Sequence, residues 1–128
     1  YTVAIADERS EVAALADGVP QFAVGRCTDV LENCTKKQAA LMLLKTMSPA
    51  LLAFDEITAP EDVEAVSLCA HCGTAVIASA HAADVDDLWQ RPLYRALLEL
   101  HVFGYAVLIE RKYGRRCYRM ERLEERTC

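Results

Sequence analysis

The sequence predicts an α/β fold built on a mainly parallel sheet. Three short apolar runs point to it: residues 2–6 (TVAIA), 50–54 (ALLAF) and 74–80 (TAVIASA), each closing on an ionisable group. Between them lie segments with helix-start signals. Strand–helix–strand alternation of this kind gives parallel strands joined by right-handed crossovers. A chain of 128 residues that is 53% apolar and 26% charged can bury one hydrophobic core and falls outside the disordered class.

Residues 2–6 end in Asp7-Glu8 and have the continuous apolar pattern of a strand buried on both faces. Ser10 to Ala16 is expected to make one or two helical turns, stopped by Asp17-Gly18 and Pro20. Residues 17–34, with Gly18, Pro20, Gly25 and Asn33, read as a long irregular segment, usually functional or mobile in a compact domain. Thr35-Lys-Lys-Gln38 is a capping box that opens a helix to about Met47, ended by Ser48-Pro49. The second apolar run ends in Asp55-Glu56. Thr58-Ala-Pro-Glu61 then reads as another capping box, with a helix to Cys72 and Gly73 just past its end. The third run ends at His81. Helical segments follow near 84–90 and 92–100, the latter with Pro92 in its first turn. Two last strands, about 102–110 and 116–121, turn at Tyr113-Gly114 and can add antiparallel edge strands to the sheet.

Composition narrows the function classes. No apolar stretch reaches the roughly 18 residues of a spanning helix, and residues 1–20 carry four acids and one base, unlike a signal peptide. The start at Tyr1, inside an apolar run, reads as a cut within a larger protein. The net charge is −5, but residues 111–126 hold seven bases and three acids, leaving the remainder at −9. An acidic body argues against a nucleic-acid surface. The basic tail reads as a solvated strand and terminus, with phosphate, lipid or an acidic partner as its possible ligands. The six cysteines are scattered, which favours a reduced state in the cytoplasm. Cys69-Ala-His-Cys72 ends a helix rather than opening one and has no second ligand pair, so redox or zinc chemistry is the weaker reading.

Parallel sheets bind ligands outside the carboxyl ends of their strands. Asp7/Glu8, Asp55/Glu56 and His81 would gather there, with Glu11 one turn further on. Clustered carboxylates with one histidine suit a magnesium ion held through water and the activation of an attacking water. The histidine can hydrogen-bond a terminal phosphate. The bland alternatives are carboxylates that only cap the next helix and a histidine that only caps or packs.

LLAFDEI with EDVEAV downstream resembles the Walker B strand and following helix of a P-loop ATPase. Together with VAIADERSEVAAL, GVPQ, TDVLENC, LKTMSP and ASAH, over roughly residues 2–109, the chain resembles the stage III sporulation protein AA family, which is related to type II and type IV secretion ATPases. The resemblance implies a RecA-like P-loop core, with residues 1–128 a partial ATPase domain that starts just after the Walker A helix. It implies ATP and magnesium as cofactors of the full-length protein, and a ring hexamer. That ring would act, peripheral to the membrane, with membrane-embedded export proteins during endospore formation. By position, Asp55 would order the magnesium shell and Glu56 would position or activate water. Glu8 and Glu11 fall in the stretch like the acidic box that lines the nucleotide site, and His81 falls on the box proposed to sense the terminal phosphate. No G-x-x-x-x-G-K-[ST] motif is present, so the chain alone is expected to be inactive. The competing reading is a non-catalytic interaction module of the same fold.

Overall fold

The computed structural model describes residues 1–123, and its first strand, β1 (Val3–Asp7), is buried from Ala4 onward. A miniature hairpin follows, β2 (Leu15–Ala16) with β3 (Val19–Pro20), and then a strand β4 (Thr28–Glu32). Helix α1 (Lys36–Met47), strand β5 (Leu51–Glu56), helix α2 (Pro60–His71) and strand β6 (Ala75–Ser79) complete the first of two compact units, Tyr1–His81. Its sheet is wholly parallel, in the order β4-β1-β5-β6. The unit that begins at Ala82 holds α3 (Val85–Gln90), α4 (Pro92–Leu98) and the hairpin β7 (Tyr105–Lys112) with β8 (Arg115–Arg122).

Local chemistry explains the helix ends. Thr35 caps α1 as predicted: its hydroxyl accepts from the Gln38 N–H and the Gln38 side chain accepts from the Thr35 N–H, both at 3.2 Å. Ser48, in the left-handed region at φ 44°, closes the helix before Pro49. The cap of α2 sits one residue later than the sequence reading. Ala59 is the N-cap, and Asp62 reaches back to the N–H groups of Thr58 (2.8 Å) and Ala59 (3.0 Å). Glu61 is exposed instead. Proline at the first helical position carries the chain into α2 without sacrificing a hydrogen bond.

Three expectations are overturned. Ser10–Ala16 is not helical, because the buried Asp7 carboxylate takes the N–H groups of Glu11, Val12 and Ala13 at 2.9–3.2 Å. A carboxylate that accepts these donors competes directly with helical pairing, and Ser10 and Ala14 both adopt positive φ. Residues 17–34 are not all irregular either. β4 pairs with β1 from Val3↔Thr28 to Asp7↔Glu32, as a half-buried edge strand with too few apolar residues to announce itself. The terminal hairpin forms its own two-stranded sheet rather than extending the parallel one. Its Tyr113-Gly114 turn is where predicted, with φ of 52° and 76° at the two central residues, the geometry of a tight I′ hairpin.

The core of the first unit centres on Ala4, Ile5 and Ala6 of β1, Leu52 and Phe54 of β5, Ala39, Ala40 and Leu43 of α1, and Ala65, Val66 and Cys69 of α2. Leu52 is wholly buried on an inner strand. Leu52→Ala should lower unfolding stability by about 2–5 kcal/mol, read as a lower urea midpoint at unchanged slope. A loss under about 1 kcal/mol would mean that the site collapses around the cavity.

Candidate functional site

Parallel pairing collects the carboxyl ends of all four strands on one edge. The registers Asp7↔Glu32, Ala6↔Phe54 and Glu56↔Ser79 bring Glu8, Glu32, Asp55, Glu56 and the residues after Ser79 to it. β5 carries a register shift between Ala53 and Glu56, with one more residue than β6 over that interval. This bulge breaks the alternation: Phe54 and Asp55 are both buried, and Glu56 is left half-buried.

The buried half of the site is organised by Lys36, the first residue of α1, whose side chain is 2% exposed. Its ammonium lies 2.6 Å from Glu8 Oε2, 3.1 Å from Asp55 Oδ1 and 3.5 Å from Asp62 Oδ2. Burial pulls the lysine pKa down. Hydrogen bonding to Glu8 and Asp55, with the charges of Asp62 and Asp55, outweighs it, so the net shift is upward and the ammonium stays charged at neutral pH. One cation faces three carboxylates. Asp55 Oδ1 is buried, and its partner among the described residues is this ammonium.

The open half consists of Glu56 and His81. His81 Nε2 is 3.7 Å from Glu56 Oε2, an ion pair only when the ring is protonated. The His81 side chain is highly exposed. Asp55, Glu56, His81 and Glu8 therefore share one sheet edge. Glu11 stands in the loop after β1, its backbone N–H held by Asp7 at the strand end, and its exposed side chain forms no ion pair among the described residues. Ser10 donates to Glu32 across the same edge, tying the loop after β1 to the end of β4.

Lys36 and Asp62 escaped the sequence reading. A faint signal existed for Lys36. A basic residue in the first turn of a helix opposes the macrodipole, so it needs a local reason to be there.

Cys69 lies in α2 and Cys72 caps its end, so the motif does terminate the helix; both are free thiols. Burial, then the neighbouring Cys72, pushes the Cys69 thiol up to about 11. Burial and the charge of Glu8 raise Cys34 as well. A hollow of about 550 Å³ lined by His101, Phe103, Tyr105 and Arg122 belongs to the second unit and contains none of these acids.

The family model for sporulation stage III, protein AA matches residues 1–119. The chain is 38% identical over 110 residues to stage III sporulation protein AA of Bacillus subtilis (strain 168), a match covering 86% of this chain and 36% of that protein. The chain thus spans about a third of the length of the curated relative it matches. No solved structure matches it.

Removing one partner of a buried charge network costs far more than the network contributes. Lys36→Met should destabilise the chain by about 3–5 kcal/mol, part of which Asp55→Asn in the same chain restores. A denaturation midpoint unmoved by Lys36→Met would show that the ammonium is dispensable. Iodoacetamide at neutral pH should modify the exposed Cys27, Cys72 and Cys117 while sparing Cys69 until denaturant is added. Prompt labelling of Cys69 in the native chain would contradict its burial.

Proposed function

The chain belongs to the sporulation stage III, protein AA family, and from that premise we propose that its acidic sheet edge is the hydrolytic half of an ATP site completed in a longer protein. Membership supports a role in sporulation. The observation that carries the hydrolytic reading is the pairing of Glu56 with His81 on the rim of a buried carboxylate cluster. In this reading the chain is part of a RecA-like core.

Each residue's contribution follows from its surroundings. Glu56, half-buried and free of Lys36, has an oxygen available to orient or deprotonate a water. His81 stands beside it, exposed, where a terminal phosphate oxygen can accept its hydrogen bond. Lys36 holds Asp55 in place, and Glu8 and Asp62 hold the Lys36 ammonium from two further elements. The donor set fits magnesium held through water: three carboxylates face one ammonium, so the cluster keeps excess negative charge, and no three His, Cys, Asp or Glu side chains among the described residues form a protein cage. Bound there, the ion would supply charge neutralisation for the phosphate chain.

The phosphate cradle is the part this chain lacks. Carboxylates repel a triphosphate unless a lysine and backbone N–H groups offset them. Strand β6 lies at the sheet border, and its alternate residues Ala75, Ile77 and Ser79 are exposed. A further strand paired there would deliver its following loop next to His81 and Glu56. The ring hexamer and the membrane-embedded export partners belong to this same proposal. The second reading, a non-catalytic module that only assembles, predicts no nucleotide dependence at all.

Calorimetric titration with magnesium-ATP separates the two. The 128-residue chain should show no tight binding, and a longer chain with a phosphate-binding loop should bind and hydrolyse. Glu56→Gln in the longer chain should then cut turnover by roughly 10²–10⁴-fold with little change in nucleotide affinity. Hydrolysis that survives Glu56→Gln would remove Glu56 from the mechanism. Failure of the longer chain to bind would favour the assembly module.

A further inference from the structure

Residues paired across an antiparallel ribbon share a face, and neighbours along each strand alternate between faces. The β7–β8 hairpin therefore has two faces, and they are unlike. One carries Leu108↔Arg119, Glu110↔Cys117 and Lys112↔Arg115, and its acids are matched: Glu110 meets Lys112 and Arg119, and Glu121 meets Arg119. The other carries Tyr105↔Arg122, Val107↔Met120, Ile109↔Tyr118 and Arg111↔Arg116, so every charge on it is positive. Among the described residues no carboxylate pairs with Arg111, Arg116 or Arg122. Tyr105, Val107, Ile109, Tyr118 and Met120 are 59–68% exposed, and the Tyr113 ring at the turn is open to solvent. Two strands alone are marginal in water, and a contiguous apolar strip with cations at both ends marks a contact surface.

We propose that this face lies flat on an anionic lipid surface. Val107, Ile109 and Met120 meet the boundary of headgroups and acyl chains, the tyrosines stand at headgroup level, and the three guanidiniums take lipid phosphates. Charge complementarity selects a phosphate-bearing partner, because a guanidinium fork matches phosphate oxygens two at a time. The evenness of the exposure selects a lipid layer. A protein interface concentrates its affinity in a few anchors seated in pockets, whereas an even strip suits a fluid surface that moulds to it. Nucleic acid offers the same phosphates, but the aliphatic centre of the strip gives bases no ring to stack on. The inference uses no residue of the acidic sheet edge and stands apart from nucleotide binding.

Cosedimentation of the 128-residue chain with vesicles tests it. The chain should bind vesicles of phosphatidylcholine and phosphatidylglycerol in equal parts, leave pure phosphatidylcholine vesicles unbound, and bind more weakly as salt rises. Arg111→Gln/Arg116→Gln should weaken binding roughly fivefold for each guanidinium removed. Tyr118→Ser, which changes no charge, should weaken it at low and high salt alike. Tyr118→Trp should give a blue shift of emission on the mixed vesicles beyond that of the wild type, whose one tryptophan, Trp89, lies in α3. These side chains are exposed, so the far-ultraviolet spectrum of each variant should match the wild type. Equal binding to pure phosphatidylcholine, binding indifferent to the substitutions, or binding without the blue shift would overturn the proposal. So would hairpin-dependent capture of polyglutamate or of a single-stranded oligonucleotide by a chain that leaves the mixed vesicles unbound.

Discussion

A single buried ammonium holds the acidic sheet edge together. Lys36 sits at the start of α1, yet its three carboxylate partners come from the end of β1, the end of β5 and the first turn of α2. Without that cation, Glu8, Asp55 and Asp62 would repel one another in a setting where water cannot screen them. The position is an unfavourable one for a cation, since the N-terminus of a helix is the positive end of its dipole. The carboxylates override that penalty, and the cost of separating them from the ammonium fixes where α1 begins relative to the sheet.

The rest of the edge follows from this constraint. Asp62 both caps α2 and faces Lys36, so the geometry of the cap and that of the charge cluster are one problem. The bulge in β5 turns Asp55 inward toward the ammonium and leaves Glu56 on the rim with His81. A buried half pinned by the ammonium and an open half thereby lie on adjacent residues of one strand.

Charge is also partitioned along the chain. The acidic edge and the cationic ribbon are separated in sequence: on the first, three carboxylates share one buried lysine, and on the second, Arg111, Arg116 and Arg122 pair with no carboxylate among the described residues. The same division explains why a modest overall charge of −5 says little about either surface.

The amino-acid sequence alone determined what depends on neighbours a few residues apart. The apolar runs specified β1, β5 and β6; Thr35 and Gln38 specified the start of α1; Tyr113-Gly114 specified the last turn; and the strand ends specified that Asp55, Glu56, His81 and Glu8 would share an edge. Only tertiary structure decided what depends on distant partners. Asp7 withdrew three N–H donors from a segment that otherwise reads as helical, β4 gained strand character from pairing with β1, and Lys36 was drawn into a charge cluster whose members lie 19 to 28 residues away. The reason is physical: a capping box or a tight turn closes its hydrogen bonds within four residues, and an edge strand or a buried ammonium obtains its stabilising partners only after the sheet has formed.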